Sequence, residues 1–335
     1  MEEVTIIMPI FNREKFIKKS IESVLNQTYK EIKLILVNDG STDNTEEICL
    51  YYKNIDSRIK YLKIDNSGPS TARNKGLELV DTKYVMFIDS DDFYQNDMVE
   101  NMVNDIKNNE VQCVVCNRIM KTEKNNKKID INSMKMNQEN KQEIIEYLQK
   151  MRLFNSVWNK IYLYNIIKNN NIKFDSNFIS GEDYKFNLDY FNNISLAIIE
   201  NKYLYNYVMN PNSIVHDNKN LDFLKQVPIV DYNLKIYKEN SFDVRNIYHR
   251  YIIIFIDAIS YKIMEEHKYK KVKEYITKCI NYKTMQEVIN CKFKKNIEQN
   301  IIYYLIKYRL KFLIYIYIYT RNLLKKVYLK KYRRN

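Results

Sequence analysis

Over its first 120 residues the chain alternates short apolar runs with stretches of helical spacing. Segments 4–9, 32–37, 59–64 and 84–88 read as buried strands, and 14–26, 44–53 and 70–80 between them carry apolar residues at the helical period. This βαβα order predicts an α/β fold: a mostly parallel sheet flanked by helices on both faces. Ligands of such sheets bind beyond the carboxyl ends of the strands, so the loops leaving the strands are where chemistry is to be sought. Segment 111–116 reads as a further strand. From 120 to 215, polar Asn- and Lys-rich loops separate two predicted helices, 138–151 and 181–192, and a strand pair around 196–199 and 203–209 follows. Beyond 220 the spacing is helical, dense in Tyr, Ile and Lys, and free of glycine. The expected organisation is a catalytic α/β domain over 1–215 and a helical, basic, Tyr-rich C-terminal region over 216–335.

The formal charge of +13 on 335 residues invites a nucleic-acid or membrane reading, but the charge is uneven. Residues 301–335 hold ten Lys and Arg and no acid, which leaves the first 300 residues with a surplus of only +3. Basicity therefore belongs to the C-terminal segment. Its longest charge-free run, 312–320, falls short of the ~20 residues that span a membrane. Basic residues interleaved with Tyr, Ile and Leu suit a segment lying on an anionic membrane surface; a helix packed on the catalytic domain and an RNA-binding tail are the alternatives. The alternation Ile314-Tyr315-Ile316-Tyr317-Ile318-Tyr319 also permits a strand. The first residues lack the basic start and apolar core of a signal peptide. Five scattered cysteines suit a reduced, cytoplasmic protein. Cys113 and Cys116, three apart on a strand, point to opposite faces, so they do not form a metal or redox pair.

The chain has four glycines, Gly40, Gly68, Gly76 and Gly181. A sequence this poor in glycine keeps it for positive φ or close backbone approach, so these positions mark candidate site loops. The first strand leads into Pro9-Ile10-Phe11-Asn12. The second ends Val37-Asn38-Asp39-Gly40-Ser41-Thr42-Asp43, where a turn and a helix cap explain Ser41 to Asp43 but leave a carboxylate at Asp39, able to accept from a base N–H. In Gly68-Pro69-Ser70-Thr71-Ala72-Arg73-Asn74-Lys75-Gly76, Arg73 sits near a helix start that disfavours cations. That placement points to a buried or liganded anion, with an exposed surface Arg as the alternative. In Asp89-Ser90-Asp91-Asp92, three carboxylates directly follow an apolar strand. Helix capping needs one of them; three together favour Mg²⁺ or Mn²⁺ shared with substrate phosphates.

In order and spacing these motifs resemble the family 2 glycosyltransferases of the GT-A fold, of the bacterial surface-polysaccharide type. The resemblance implies a nucleotide-diphosphate sugar donor, UDP-linked in the common case, and inversion at the sugar C1. It places Pro9, Phe11, Asn12, Asp39, Gly68, Arg73, Asp89 and Ser90 around the donor. Asp91 would hold the metal, with Asp89, Asp92 and His216 as further candidate ligands. Trp158, the chain's one tryptophan, would wall the acceptor site or else lie in the core. In Gly181-Glu182-Asp183 the resemblance makes Asp183 the base that deprotonates the acceptor and Glu182 its companion, where plain helix capping is the alternative. The acceptor expected is a lipid-linked or surface glycan, with the protein peripheral on the inner face of the cell membrane through 301–335 and no nucleic-acid partner. A sugar nucleotidyltransferase would need a glycine-rich first loop, and 8–13 contains no glycine. A basic nucleic-acid-binding protein would leave the acidic cluster unexplained.

Overall fold

The computed structural model describes residues 2–122, 125–178, 181–209, 222–266, 268–291 and 297–332. The chain divides into two compact units, one of 1–177 with 181–216, the other of 178–180 with 217–335. The first begins with β1 (Val4–Ile10), α1 (Ile17–Leu25), β2 (Ile32–Asp39), α2 (Thr45–Ile55), β3 (Ile59–Ile64), α3 (Pro69–Glu78) and β4 (Tyr84–Phe87). It continues through β5 (Phe93–Tyr94), α4 (Met98–Asn108), β6 (Cys113–Lys121), β7 (Asn126–Lys128), β8 (Met134–Met136) and α5 (Lys141–Lys150). β9 (Lys160–Leu163), α6 (Tyr164–Asn169), α7 (Glu182–Asn192) and β10 (Ala197–Val208) complete it.

The described strands form one sheet in the order β3-β2-β1-β4-β9-β6-β10-β5, with β7 beside β6 and β8 beside β10. β3, β2, β1 and β4 run parallel, as their βα connections require. β9 is antiparallel to both neighbours, β4 and β6, and converts the parallel half into a mixed sheet. The pair of strands expected over 196–209 is instead a single strand, β10, running parallel to β6 with register shifts around Tyr203. Glu200-Asn201-Lys202 interrupts the apolar alternation, yet the backbone absorbs it as a bulge rather than turning back. Both faces of the parallel half are covered, which is why β1 is buried at every position.

Gly76 shows what glycine is kept for here. It lies inside α3, and a Cβ there would sit 2.4 Å from Cγ2 of Ile7 on β1. Ala72, one turn earlier, is also fully buried. Small residues on this face let α3 lie close against β1 and β2.

The second unit is helical: α8 (Phe223–Glu239), α9 (Arg245–Glu266), α10 (Tyr269–Ile280), α11 (Lys283–Asn290), α12 (Ile297–Lys307) and α13 (Lys311–Tyr332). α9 is the central rod, touching each of the other five, and residues all round it are buried. Asp231 on α8 accepts hydrogen bonds from Tyr282 Oη and Thr284 Oγ1 at the start of α11, both 2.7 Å. The alternating segment 314–319 is helical, not a strand: Ile314 and Ile318, four apart, are the buried positions. Among the described residues, no helix is long and apolar enough to cross a membrane.

Gly76→Ala is expected to destabilise the fold by ~1–3 kcal/mol, because Ile7 is β-branched, buried and unable to retreat. Urea unfolding measures this, and adding Ile7→Val should return part of the loss as a non-additive coupling; strictly additive effects would mean the contact is not the cause.

Candidate functional site

Because β1 to β4 are parallel, the loops that leave their carboxyl ends gather on one edge of the sheet. After β1 the backbone turns at Asn12, whose φ of 51° lies in the left-handed region that Asn tolerates. Asn12 Oδ1 accepts from Thr42 N at 2.8 Å, and Asn12 N donates to Ser41 Oγ at 3.0 Å, so the first and second loops are sewn together. Phe11 beside them is exposed. Asp39, buried at the end of β2, accepts from the backbone N–H groups of Ser67 (2.7 Å) and Gly68 (2.8 Å). Gly68, at φ 87°, then starts α3. Asp39 thus holds the second and third loops in register, with one lone pair per oxygen left over.

The acidic cluster separates into three roles. Asp92 is only 2% exposed; its carboxylate accepts from Tyr205 Oη at 2.8 Å and Val208 N at 2.7 Å on β10. Burial, followed by the nearby charges of Asp89 and Asp91, pushes Asp92 well above the usual carboxylate range. It therefore points inward as a tie to β10, and as a metal ligand it is out of reach. Ser20 on α1 donates toward the carbonyls of Ser90 (3.0 Å) and Asp92 (2.6 Å), fixing the turn from below. Asp89 turns to Arg73. Asp91 faces the edge, with Arg13 Nε 3.4 Å from its Oδ2.

Arg73 joins this edge to α7. It begins the second turn of α3, since Pro69 is the first helical residue, and its side chain is buried. The guanidinium lies 2.9 Å from Asp89, 3.2 Å from Asp183 and 3.8 Å from Glu182, with the Phe174 ring over it. Asn74 pins that ring's backbone, donating to Phe174 O at 2.7 Å and accepting from Phe174 N at 2.9 Å. The anion foreseen from Arg73's position is therefore supplied by the chain's own carboxylates. Burial opposes the Arg73 charge, but Asp183, Asp89 and Glu182 together hold it protonated beyond its ordinary range. One cation shared by three carboxylates does not satisfy all of them. Burial raises Asp183 to about 7, Arg73 pulls it back only in part, and Glu182 and Asp89 add to the rise. Arg73 Nε and Nη1 and Asp183 Oδ1 are buried without a hydrogen-bond partner.

Beneath α7 lies a buried polar platform that the sequence did not reveal. Lys160 donates to the carbonyls of Leu153 (2.6 Å) and Ser156 (2.5 Å) and to Asn159 Oδ1 (2.9 Å). Asn187, one turn after Asp183, donates to Phe154 O and Ser156 O and accepts from Tyr162 Oη. Burial draws Lys160 down to about 7. Its signal was present in Trp158-Asn159-Lys160, where the tryptophan drew attention instead. Of the two readings of Trp158, the structure favours the core: it is buried, and its ring stacks at 4.1 Å on Tyr205. Arg13, Phe174 and Tyr205 were also missed; each meets the site across long sequence separation. His216 lies outside the described residues. The Cys113 and Cys116 thiols are both pushed up to about 12 by burial, which suits inert core residues.

Among the described residues, no group of three or more His, Cys, Asp and Glu is arranged to hold a metal ion. Asp91 and Asp89 each keep part of the carboxylate exposed at the edge, whereas Asp92 does not. That donor set fits a hard cation that takes most of its oxygens from phosphate and water, and does not fit a cage built of protein ligands.

Residues 5–170 match the family model described as glycosyl transferase family 2. Glycosyltransferase GlyA of Streptococcus pneumoniae is 44% identical over 101 residues, which are 30% of this chain and 14% of that protein. The uncharacterized glycosyltransferase EpsJ of Bacillus subtilis is 30% identical over 215 residues, 63% of this chain and 62% of that protein. The chain thus spans less than two thirds of the length of either relative. Among solved structures, S. aureus TarS superposes with a TM-score of 0.60 at 18% identity, over 94% of this chain and 54% of that one. A shorter TarS crystal structure in complex with UDP-GlcNAc gives 0.54 at 18% identity, over 91% and 79%. The fold is the GT-A arrangement.

Asp183 is held above its ordinary value of 3.8, so folding takes up a proton between roughly pH 4 and 7, and that contribution to stability is lost as pH rises through the window. Asp183→Asn should flatten the wild-type decline, which is at most about 1.4 kcal/mol per pH unit for one group. Urea unfolding at pH 5 and pH 8 reads it; equal declines in both proteins would place the proton elsewhere.

Proposed function

Because residues 5–170 match glycosyl transferase family 2, we propose that the chain transfers a sugar from a nucleotide diphosphate to an acceptor hydroxyl, with inversion at C1. The observation that carries this reading is the Arg73 bridge, which ties Asp89 on the donor-side edge to Asp183 at the start of α7. A base whose proton affinity lies near neutral is brought within one guanidinium of the carboxyl ends of the strands. UDP sugars are the donors to test first, since TarS, a relative in fold, is solved with UDP-GlcNAc.

In this reading Asp39 and the loops it aligns receive the nucleotide, and Phe11 offers an exposed aromatic face beside it. Asp89, steadied by Arg73, lies at the ribose. A divalent cation, Mn²⁺ or Mg²⁺, held by Asp91 would supply positive charge to the diphosphate. Arg13 adds a guanidinium at the same place. Asp183 takes the proton from the acceptor hydroxyl as its oxygen bonds to C1; the C1–phosphate oxygen bond breaks, and its electron pair leaves with the nucleotide diphosphate. Burial first, with Glu182 and Asp89 adding to it, keeps Asp183 basic enough for this task. A glycan carried on a lipid is the acceptor class proposed.

A panel of nucleotide sugars with Mn²⁺, scored for slow nucleotide release, should single out one donor; release from none would overturn the reading. Asp183→Asn should lower kcat at least ~100-fold with donor affinity nearly unchanged, and remove an ionisation near neutral pH from the kcat/KM profile. Loss of donor binding instead would assign Asp183 to structure alone. Asp91→Asn should raise the Mn²⁺ concentration needed for donor binding, measured calorimetrically; an unchanged requirement rejects Asp91 as the ligand.

A further inference from the structure

The C-terminal helix exposes its apolar side. On α13, Ile314 and Ile318 are buried against the rest of the helical unit, whereas Phe312, Leu313, Ile316, Tyr319, Leu323 and Leu324 are all exposed, Leu324 at 71%. At 3.6 residues per turn these six fall on one arc roughly 140° wide, opposite the buried pair, along about 18 Å of helix. Thr320 is the one polar residue within that arc over 312–324. Isolated exposed apolar residues are ordinary, but a continuous stripe of this kind marks a surface that meets something apolar.

Charge decides what that is. Residues 301–335 carry ten Lys and Arg without one Asp or Glu. Pairing the stripe with a second copy would bring two segments of this net charge together, an arrangement that repulsion opposes. The segment does not cross a bilayer, since no described helix is apolar enough over sufficient length. An apolar stripe on a helix rich in basic residues is what lies in the headgroup plane of an anionic membrane.

We propose that α13 docks flat on an anionic lipid surface, with Phe312, Ile316, Tyr319 and Leu323 entering the acyl boundary and the net positive charge of 301–335 drawn to the headgroups. The proposal is independent of the sugar-transfer reading, because it concerns the helical unit alone and its test uses no sugar nucleotide.

The test is co-sedimentation of the full chain with vesicles of phosphatidylglycerol and phosphatidylcholine, against vesicles of phosphatidylcholine alone. Binding to the anionic vesicles should exceed binding to the neutral ones by at least about 10-fold and fall as salt is raised. Ile316→Ser/Leu323→Ser, at exposed positions that the fold does not need, should weaken binding at least about 10-fold with an unchanged circular dichroism melt. Lys307→Gln/Lys311→Gln/Lys325→Gln/Lys326→Gln should weaken binding to the anionic vesicles by about as much. Equal binding to both vesicle types overturns the anionic assignment. Full binding by the double serine variant removes the apolar face from the account. Absence of vesicle binding, with a dimer in analytical ultracentrifugation that the serine variant dissolves, would assign the face to a second copy.

Discussion

A guanidinium sealed inside a protein must be matched by negative charge, and here the match joins parts of the chain more than 100 residues apart. Arg73 is fixed by α3, α3 is fixed by the close approach of Gly76 to Ile7, and the carboxylates that answer Arg73 come from the end of β4 and from the start of α7. Removing one partner of a buried ion pair costs far more than forming it yields. The edge loops and α7 are therefore constrained to one mutual position by charge as well as by packing. Burial is the first cause of Asp183's raised proton affinity; Arg73 draws it back in part, and Glu182 and Asp89, which share that one cation, add to the rise.

The parallel half of the sheet was legible because its signals are local. Four apolar runs, helical spacing between them and polar loops at their carboxyl ends suffice to place Asp39, Arg73 and the acidic turn on one edge. The rest depends on partners distant in sequence. Nothing near Asp92 indicates that it turns inward, since Tyr205 and Val208, which capture it, are more than 110 residues away. A cluster of three aspartates reads as a metal site in sequence; in space, burial and hydrogen bonding turn Asp92 inward. Trp158 was open to two readings for a related reason. Its stacking partner comes from β10, a strand that the sequence divides in two because Glu200-Asn201-Lys202 breaks its alternation.

The polar platform under α7 explains why the helix that carries Asp183 can be set on such a buried, charged foundation. Lys160 has all three donors engaged by oxygen acceptors, and Asn187 ties the same loop to the helix that carries Asp183. A buried network is worth having only when every member is satisfied, and this one is satisfied where it meets the fold. Arg73 Nε and Nη1 and Asp183 Oδ1, by contrast, are buried without a hydrogen-bond partner.

The two units thus use charge in opposite ways. In the α/β unit opposite charges are drawn inward, one guanidinium among three carboxylates, and burial shifts Asp183 strongly. In the C-terminal segment, 301–335, the sequence carries ten like charges and no acid of its own, and an apolar stripe is exposed on the helix it forms. Net charge of one sign is unfavourable for any compact structure, and it stays tolerable because solvent and salt screen it. The same screening disappears against a surface of opposite charge, where the repulsion becomes attraction. A segment of this composition gains most from the one environment that offers anionic groups and an apolar layer side by side, and a lipid-linked acceptor would be found in that same place.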